Sequence, residues 1–189
     1  MSLILKEHSS TSYAPRTYYN ASSGDITVAL AVDLSTAGEK LTHKAAGNKY
    51  IGFQLIDQSN TEDIAIKIVQ KMKELNATTV NVAGNGIYTL SKYNCTQEFI
   101  NKFVYEILKS VNERIAIKKI YTGGQTGVDI AGAVAAIALG IEVEVTFPKG
   151  FKQRFENKED ITQSREIIEN QIMNYIDILM NKKIKRLSV

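Results

Sequence analysis

From Thr79 onward the chain repeats one rhythm: a short apolar run, a break containing glycine, then a stretch with apolar residues at helical spacing. Runs 79–83, 117–121 and 142–147 read as strands, and stretches 96–111, 127–139 and 162–180 read as helices. Strands that alternate with helices are joined by right-handed crossovers, so they must lie parallel in one sheet with helices packed on it. The stretch 127–139 is apolar nearly all round and rich in Ala and Gly. A helix of that kind lies close to a sheet and is covered on its outer side as well. The expected fold class is α/β: a Rossmann-like parallel sheet flanked by helices, with an N-terminal extension that contains further strands.

That extension is harder to read. Runs 26–34 and 50–56 have the composition of buried strands, and the sheet is expected to gain them. The polar stretch 1–24 reads as an extended arm, and 35–47 as a loop with at most a helical turn. Ser59, followed three residues later by Glu62, has the pattern of a capping box. The helix it would open buries Ala65, Ile68, Val69, Met72 and Leu75, and ends at Asn76, a residue that tolerates left-handed backbone. The expected division is residues 1–60 as arm and additional strands and 61–189 as the Rossmann-like core, the two packed together as one unit.

Four strand-end loops carry residues suited to chemistry. The first holds Gly123, Gly124, Gln125, Thr126 and Gly127, with Asp129 just inside the helix. In open α/β sheets ligands bind at such strand ends. Glycines let the backbone approach a ligand, and free amides at a helix start favour an anion. Phosphate on this loop is therefore expected, with a Gly124→Asp variant losing it while staying folded. The plain alternative is a glycine turn with Thr126 as helix cap. Asp129 is a poor neighbour for phosphate and suits a cap or a ribose hydroxyl better.

The second loop, with Gly84, Asn85, Gly86 and Tyr88, follows a neighbouring strand and should adjoin the first. Tyr88 either stacks on a base or is a buried ring. The third supplies Lys149, with Arg154 beyond it, as charges for the same cleft or as solvated cations. The fourth carries Asp33, Ser35, Thr36 and Glu39, the hydroxyls as ligand contacts and the two acids as catalytic candidates beside Asp129. Residues 16–20, rich in tyrosine, either close over a ligand or bridge to another subunit.

Other classes find little support. A net charge of +3 is too small to indicate nucleic acid, and Lys182, Lys183, Lys185 and Arg186 read as a solvated helix end. One cysteine, Cys95, excludes an internal disulfide and any Cys-rich metal site. The two histidines, His8 and His43, stand in polar segments, and no metal-ligand spacing or catalytic triad is present. No metal and no cofactor are expected. The apolar patch 3–5 is neither a signal peptide nor a membrane anchor, so a reducing, cytoplasmic setting fits best.

The stretch 120–150, with its G-G-Q-T-G-V-D loop, Ala-rich helix, Leu-Gly turn and later P-K-G, resembles the SLOG superfamily, most closely the molybdenum-cofactor carrier branch. The likeness extends loosely back to Thr79, through VNVAGNG. It implies a Rossmann-like domain that binds a nucleotide or nucleotide sugar through Gly84, Asn85, Gly86, Gly123, Gly124, Gln125, Thr126, Gly127 and Asp129. It also implies self-association as a homo-oligomer. Phosphoribohydrolase relatives carry P-G-G-x-G-T-x-x-E, and the glutamate is missing here, leaving only Asp129 for such chemistry. A SLOG core with an added N-terminal segment is similar to phage-encoded proteins, whose host-cell role would be to capture a (cyclic) ADP-ribose-type immune signal. The resemblance thus implies a binding module, with a nucleotide N-glycosidase and a molybdenum-cofactor carrier as the alternatives.

Overall fold

The computed structural model describes residues 2–55 and 60–187, and side chains as far as 181. Six parallel strands form the sheet: β1 (Leu3–Glu7), β2 (Ile26–Ala31), β3 (Tyr50–Gln54), β4 (Thr79–Gly84), β5 (Lys119–Gly123) and β6 (Glu142–Phe147). Their order across the sheet is β1-β6-β5-β4-β2-β3. The helices are α1 (Tyr13–Ser23), α2 (Ala37–Ala46), α3 (Thr61–Glu74), the short α4 (Ile87–Leu90), α5 (Gln97–Arg114), α6 (Val128–Ala138) and α7 (Arg165–Leu187). A two-stranded antiparallel hairpin, β7 (Gln153–Arg154) and β8 (Asp160–Ile161), sits between β6 and α7.

Connections β1 to β2 and β2 to β3 run one way along the sheet, whereas those from β3 through β6 run the other way. Right-handed crossovers then put α1 and α2 on one face and α3, α5 and α6 on the opposite face. The packing agrees: α1 lies against α2, while α3, α6 and α7 lie against α5. Residues Val128 to Ile137 of α6 are all buried, because the sheet covers one side of the helix and α5 and α7 the other. Gly132 lets α6 approach Val82 and Thr122 of the sheet.

Two segments are more ordered than expected from sequence. The stretch read as an arm is β1 and α1. β1 pairs with β6 in register, Leu3 opposite Val143 through Glu7 opposite Phe147. Pro15 stands in the first turn of α1, where a missing N–H costs nothing. The stretch read as a loop is α2, capped by Thr36, whose side chain accepts from the Glu39 N–H at 3.3 Å. Ser59 and Ile56 lie outside the described residues; the cap of α3 is Asn60, which accepts from Glu62 N–H at 2.9 Å. Asn76, at φ 50, and Gly140, at φ 75, end their helices in left-handed backbone. Phe99 of α5 is 51% exposed, and Ile100, Val104, Ile107, Leu108 and Val111 form the buried face of that helix.

Strand alternation gives the sheet two different faces. Toward α6 it presents Val80, Val82, Ile120, Val143 and Val145, all buried. Toward α1 and α2 it presents Thr27, Asn81, Glu144 and Thr146, also buried. Gly84 closes β4 against β2, where a Cβ would overlap the Leu30 carbonyl oxygen. Backbone cannot step aside there, so Gly84→Ala should lower stability by about 1–3 kcal/mol in urea denaturation. An unchanged unfolding midpoint would mean that β2 and β4 are not this close.

Candidate functional site

Read cyclically from β2, with β1 taken last, the strand order becomes 2-1-3-4-5-6, a doubly wound arrangement whose direction switches between its first and third strands. Those strands are β2 and β4. Ligands of open α/β sheets sit at such a switch, at the carboxyl ends of the strands. A cleft of about 280 Å³ lies there, between the strand ends, α1 and α2. That volume is close to the lower end of small-molecule pockets.

One face of α1 forms the roof. Tyr13, Arg16, Thr17 and Asn20 recur at helical spacing and all line the cleft. Tyr18 and Tyr19 point away, 43% and 36% exposed, and the Tyr19 hydroxyl donates to Glu144 at 2.7 Å. Arg16 is buried, and its Nη1 lies 2.9 Å from Asp129 Oδ2. A Cβ at residue 123 would overlap both groups, so Gly123 is the space the ion pair occupies. Burial pushes the Asp129 carboxyl upward, against the pull of Arg16 and of the Gln125 N–H.

Glu39 enters from α2. It is 3% exposed, and Asn85 Nδ2 donates to its Oε1 at 3.3 Å. The same Asn85 accepts from the Asp33 N–H at 3.0 Å and donates to the Asp33 carbonyl at 3.2 Å, tying the loop after β2 to the loop after β4. Burial, then the nearby Asp129 charge, push the Glu39 carboxyl up to about 7. Thr36 and Glu39 also have the T-x-x-E spacing of a capping box, but the carboxylate turns to Asn85 and into the cleft.

Four buried side-chain atoms of cleft residues have no hydrogen-bond partner among the described residues: Arg16 Nε, Asn20 Oδ1, Glu39 Oε2 and Asn81 Oδ1. Buried polar atoms are ordinarily paired, so four around one hollow mark it as built for something polar.

The glycine loops do adjoin. Gly86 and Gly127 form an antiparallel bridge, with Ile87 N–H donating to the Thr126 carbonyl at 3.1 Å and Val128 N–H to that of Asn85 at 3.2 Å. The Gly127, Val128 and Ile130 amides at the start of α6 are, however, already engaged. Gly127, at φ 102, donates its N–H to Gln97 Oε1 at 2.6 Å, and Ile130 donates to the Gln125 carbonyl at 3.1 Å. The N-cap of α6 is Gly127, and the Thr126 hydroxyl donates instead to the Arg154 carbonyl. Gln125 Oε1 accepts from the Arg154 N–H at 2.8 Å, and the Gly124 carbonyl from buried Gln153 at 2.7 Å. The loop is thus the seat on which the β7–β8 hairpin docks. A Cβ at Gly124 would overlap the Phe147 ring, so Gly124→Asp damages packing and is not a clean probe of anion binding.

Of the residues singled out from sequence, Thr36, Glu39, Gly84, Asn85, Gly86, Tyr88, Gly123, Gln125 and Asp129 line the cleft, and so does Arg154. Gly124, Thr126 and Gly127 do not line it. Ser35 is exposed and binds Asp33 Oδ1 through N–H and hydroxyl, and exposed Lys149 donates its N–H to the Ser10 carbonyl. Neither they nor Asp33 lines the cleft. Arg16, Thr17 and Asn20, from the stretch 16–20 read as closing over a ligand or bridging to another subunit, line it too, whereas Tyr13 and Asn81 are additions that sequence reasoning missed. Spacing 13, 16, 17, 20 signals Tyr13, and a polar residue at the centre of an apolar strand signals Asn81. Among the described residues no group of His, Cys, Asp and Glu could hold a metal ion, and no helix is long and apolar enough to cross a membrane.

The carboxyl of Glu39 binds its proton more tightly in the fold than at its ordinary 4.5. Its stabilising contribution is therefore complete below about 4.5 and is lost as pH rises through about 7. Glu39→Gln, which keeps the size and the Asn85 contact, should flatten that decline and exceed the native protein in stability at pH 8 by up to ~3 kcal/mol in chemical denaturation. Parallel pH profiles of the two proteins would refute the placement of Glu39. Removing one partner of the buried ion pair leaves a charge without compensation, so Arg16→Met should cost ~3–5 kcal/mol, and Arg16→Met with Asp129→Leu should cost less than Arg16→Met alone. A double variant worse than the single one would contradict the pairing.

A search among curated proteins finds no match for the chain. The family model for circularly permutated YpsA SLOG proteins matches residues 2–110, from β1 into α5 and more than half of the chain. The match includes the segments that resisted reading from sequence, and the cyclic strand order agrees with a permuted connection. Membership of a SLOG family indicates, in general terms, a nucleotide-related ligand-binding role. The chain belongs to the circularly permutated YpsA SLOG family.

Proposed function

We propose that the protein binds a nucleotide-derived small molecule in this cleft, with the nucleoside part between α1, α2 and the ends of β2 and β4. The observation that carries the reading is the set of four buried atoms, unpartnered among the described residues, on side chains that line one hollow at the topological switch. Two of them, on Asn20 and Asn81, are acceptors, Arg16 Nε is a donor, and Glu39 Oε2 accepts when ionised and donates when protonated. Acceptors in excess suit a ligand rich in hydroxyl and amino donors, as a ribose diol and a base edge are. Within that class the (cyclic) ADP-ribose-type molecules implied by the SLOG likeness are the first to try, held rather than consumed.

One observation favours a second reading. Glu39, pushed up to about 7 beside Asp129, is a carboxyl that can give or take a proton near neutrality. Hydrolysis of an N-glycosidic bond needs an acid or a charge stabiliser near the ribose, and two carboxyls in different environments can divide those roles.

Thermal unfolding with ADP-ribose derivatives, cyclic nucleotides and nucleoside monophosphates tests both readings. A ligand at about a hundred times its Kd stabilises by about 2.7 kcal/mol, which for a chain of this size raises Tm by roughly 5–10 °C. The shift should vanish in Asn81→Ala. Intact ligand released on denaturation supports capture, and free base with a ribose phosphate supports hydrolysis. No shift with any compound would overturn both.

A further inference from the structure

The cleft has unlike ends. Its inner end holds Glu39 and Asp129, and the Gly127 and Val128 N–H groups at the start of α6 are taken by Gln97 and the Asn85 carbonyl. A phosphate placed there would meet the Asp129 charge and find those donors engaged. The mouth is different. The Tyr88 ring lies half-buried at the edge, with Lys92 Nζ 4.0 Å and Lys158 Nζ 5.7 Å from its centroid.

These cations come from separate segments, the turn after α4 and the loop between β7 and β8, and converge on one phenol. Among the described residues neither lysine lies in an ion pair with a carboxylate. Arg154 lines the same mouth, and Asp160 already holds its guanidinium at 2.8 and 3.0 Å. The hydrogen bond and charge of Lys92, then the charges of Lys158 and Arg154, hold the Tyr88 hydroxyl below its usual range.

We infer that Lys92, Lys158 and the Tyr88 hydroxyl form a phosphate subsite at the mouth, so that the ligand enters nucleoside first and leaves its phosphate or diphosphate facing outward. This deepens the reading of the cleft and rests on it for the nucleoside half. The ligand class is a nucleotide whose phosphate carries on toward solvent, where a further group is tolerated. Lysine ammonium groups and a phenol donate to phosphate oxygens, and their exposure makes the contact sensitive to salt.

The test pairs adenosine with AMP and ADP-ribose by calorimetry, at low and high salt, on the native protein and on a Lys92→Gln/Lys158→Gln double variant. Both lysines are exposed, so the variant should fold with an unchanged Tm. The native protein should prefer the phosphorylated compounds, and the double variant should lose about tenfold or more for them while binding adenosine as before. Its remaining affinity should no longer fall with salt. Equal affinity for adenosine and AMP in the native protein, or an unaffected double variant, would overturn the subsite. Should no nucleoside bind at all, the cleft reading fails separately. Pyrophosphate, titrated alone, then decides the rim: binding to the native protein and not to the double variant supports it, and no binding to either refutes it.

Discussion

The Arg16–Asp129 ion pair is the contact around which the cleft is organised. It joins α1 to the first turn of α6 through the sheet edge, at 2.9 Å and almost out of solvent. Taking two charges out of water is costly, and their attraction offsets that only when they stay in contact. The backbone therefore has to keep the space between them open, which Gly123 does by having no side chain. Asp129 then becomes a fixed negative neighbour for Glu39, which burial alone already disfavours as an anion. One ion pair thereby sets the roof of the cleft, the identity of residue 123 and part of the acidity of the floor.

The two faces of the sheet explain why the cleft is on the side it is. Strands buried on both faces usually read as unbroken apolar runs. Here the face toward α6 follows that rule and forms the main core, whereas the face toward α1 and α2 carries Thr27, Asn81, Glu144 and Thr146 at strand centres. Some are satisfied locally: Asn81 Nδ2 donates to Thr27 Oγ1 at 3.2 Å, and Glu144 gathers Lys6, Lys119 and Tyr19. Elsewhere the satisfaction is incomplete: among the described residues Thr146 Oγ1 has no partner, and neither has one buried atom each of Arg16, Asn20, Glu39 and Asn81, residues that line one hollow. Stability is left to one face and recognition to the other.

The glycine loops show how a correct local reading can lead to an incomplete functional one. Their glycines, their strand-end position and their adjacency were all legible. Two amides at the start of α6 were expected to be free and are not, because Gln97 of α5 reaches Gly127 and the Asn85 carbonyl reaches Val128. Close approach is what Gly123 and Gly124 provide, but the approaching groups are Arg16, Asp129 and Phe147 of the protein itself. Glycine indicates that something comes near the backbone, and it does not say what.

Sequence alone determined the elements whose signal is local. Strands after residue 79, the buried helix at 127–139, the parallel sheet and the stop at Asn76 all follow from periodicity and backbone preference over a few residues. The polar helices α1 and α2 did not show, because a helix that turns Arg16, Asn20 or Glu39 inward has no apolar stripe to announce it. Which of Asp33, Glu39 and Asp129 face the cleft, and which amides remain free, was decided only by tertiary structure. Those outcomes depend on charge and hydrogen-bond partners that chain topology brings together from distant segments, and no local pattern encodes them.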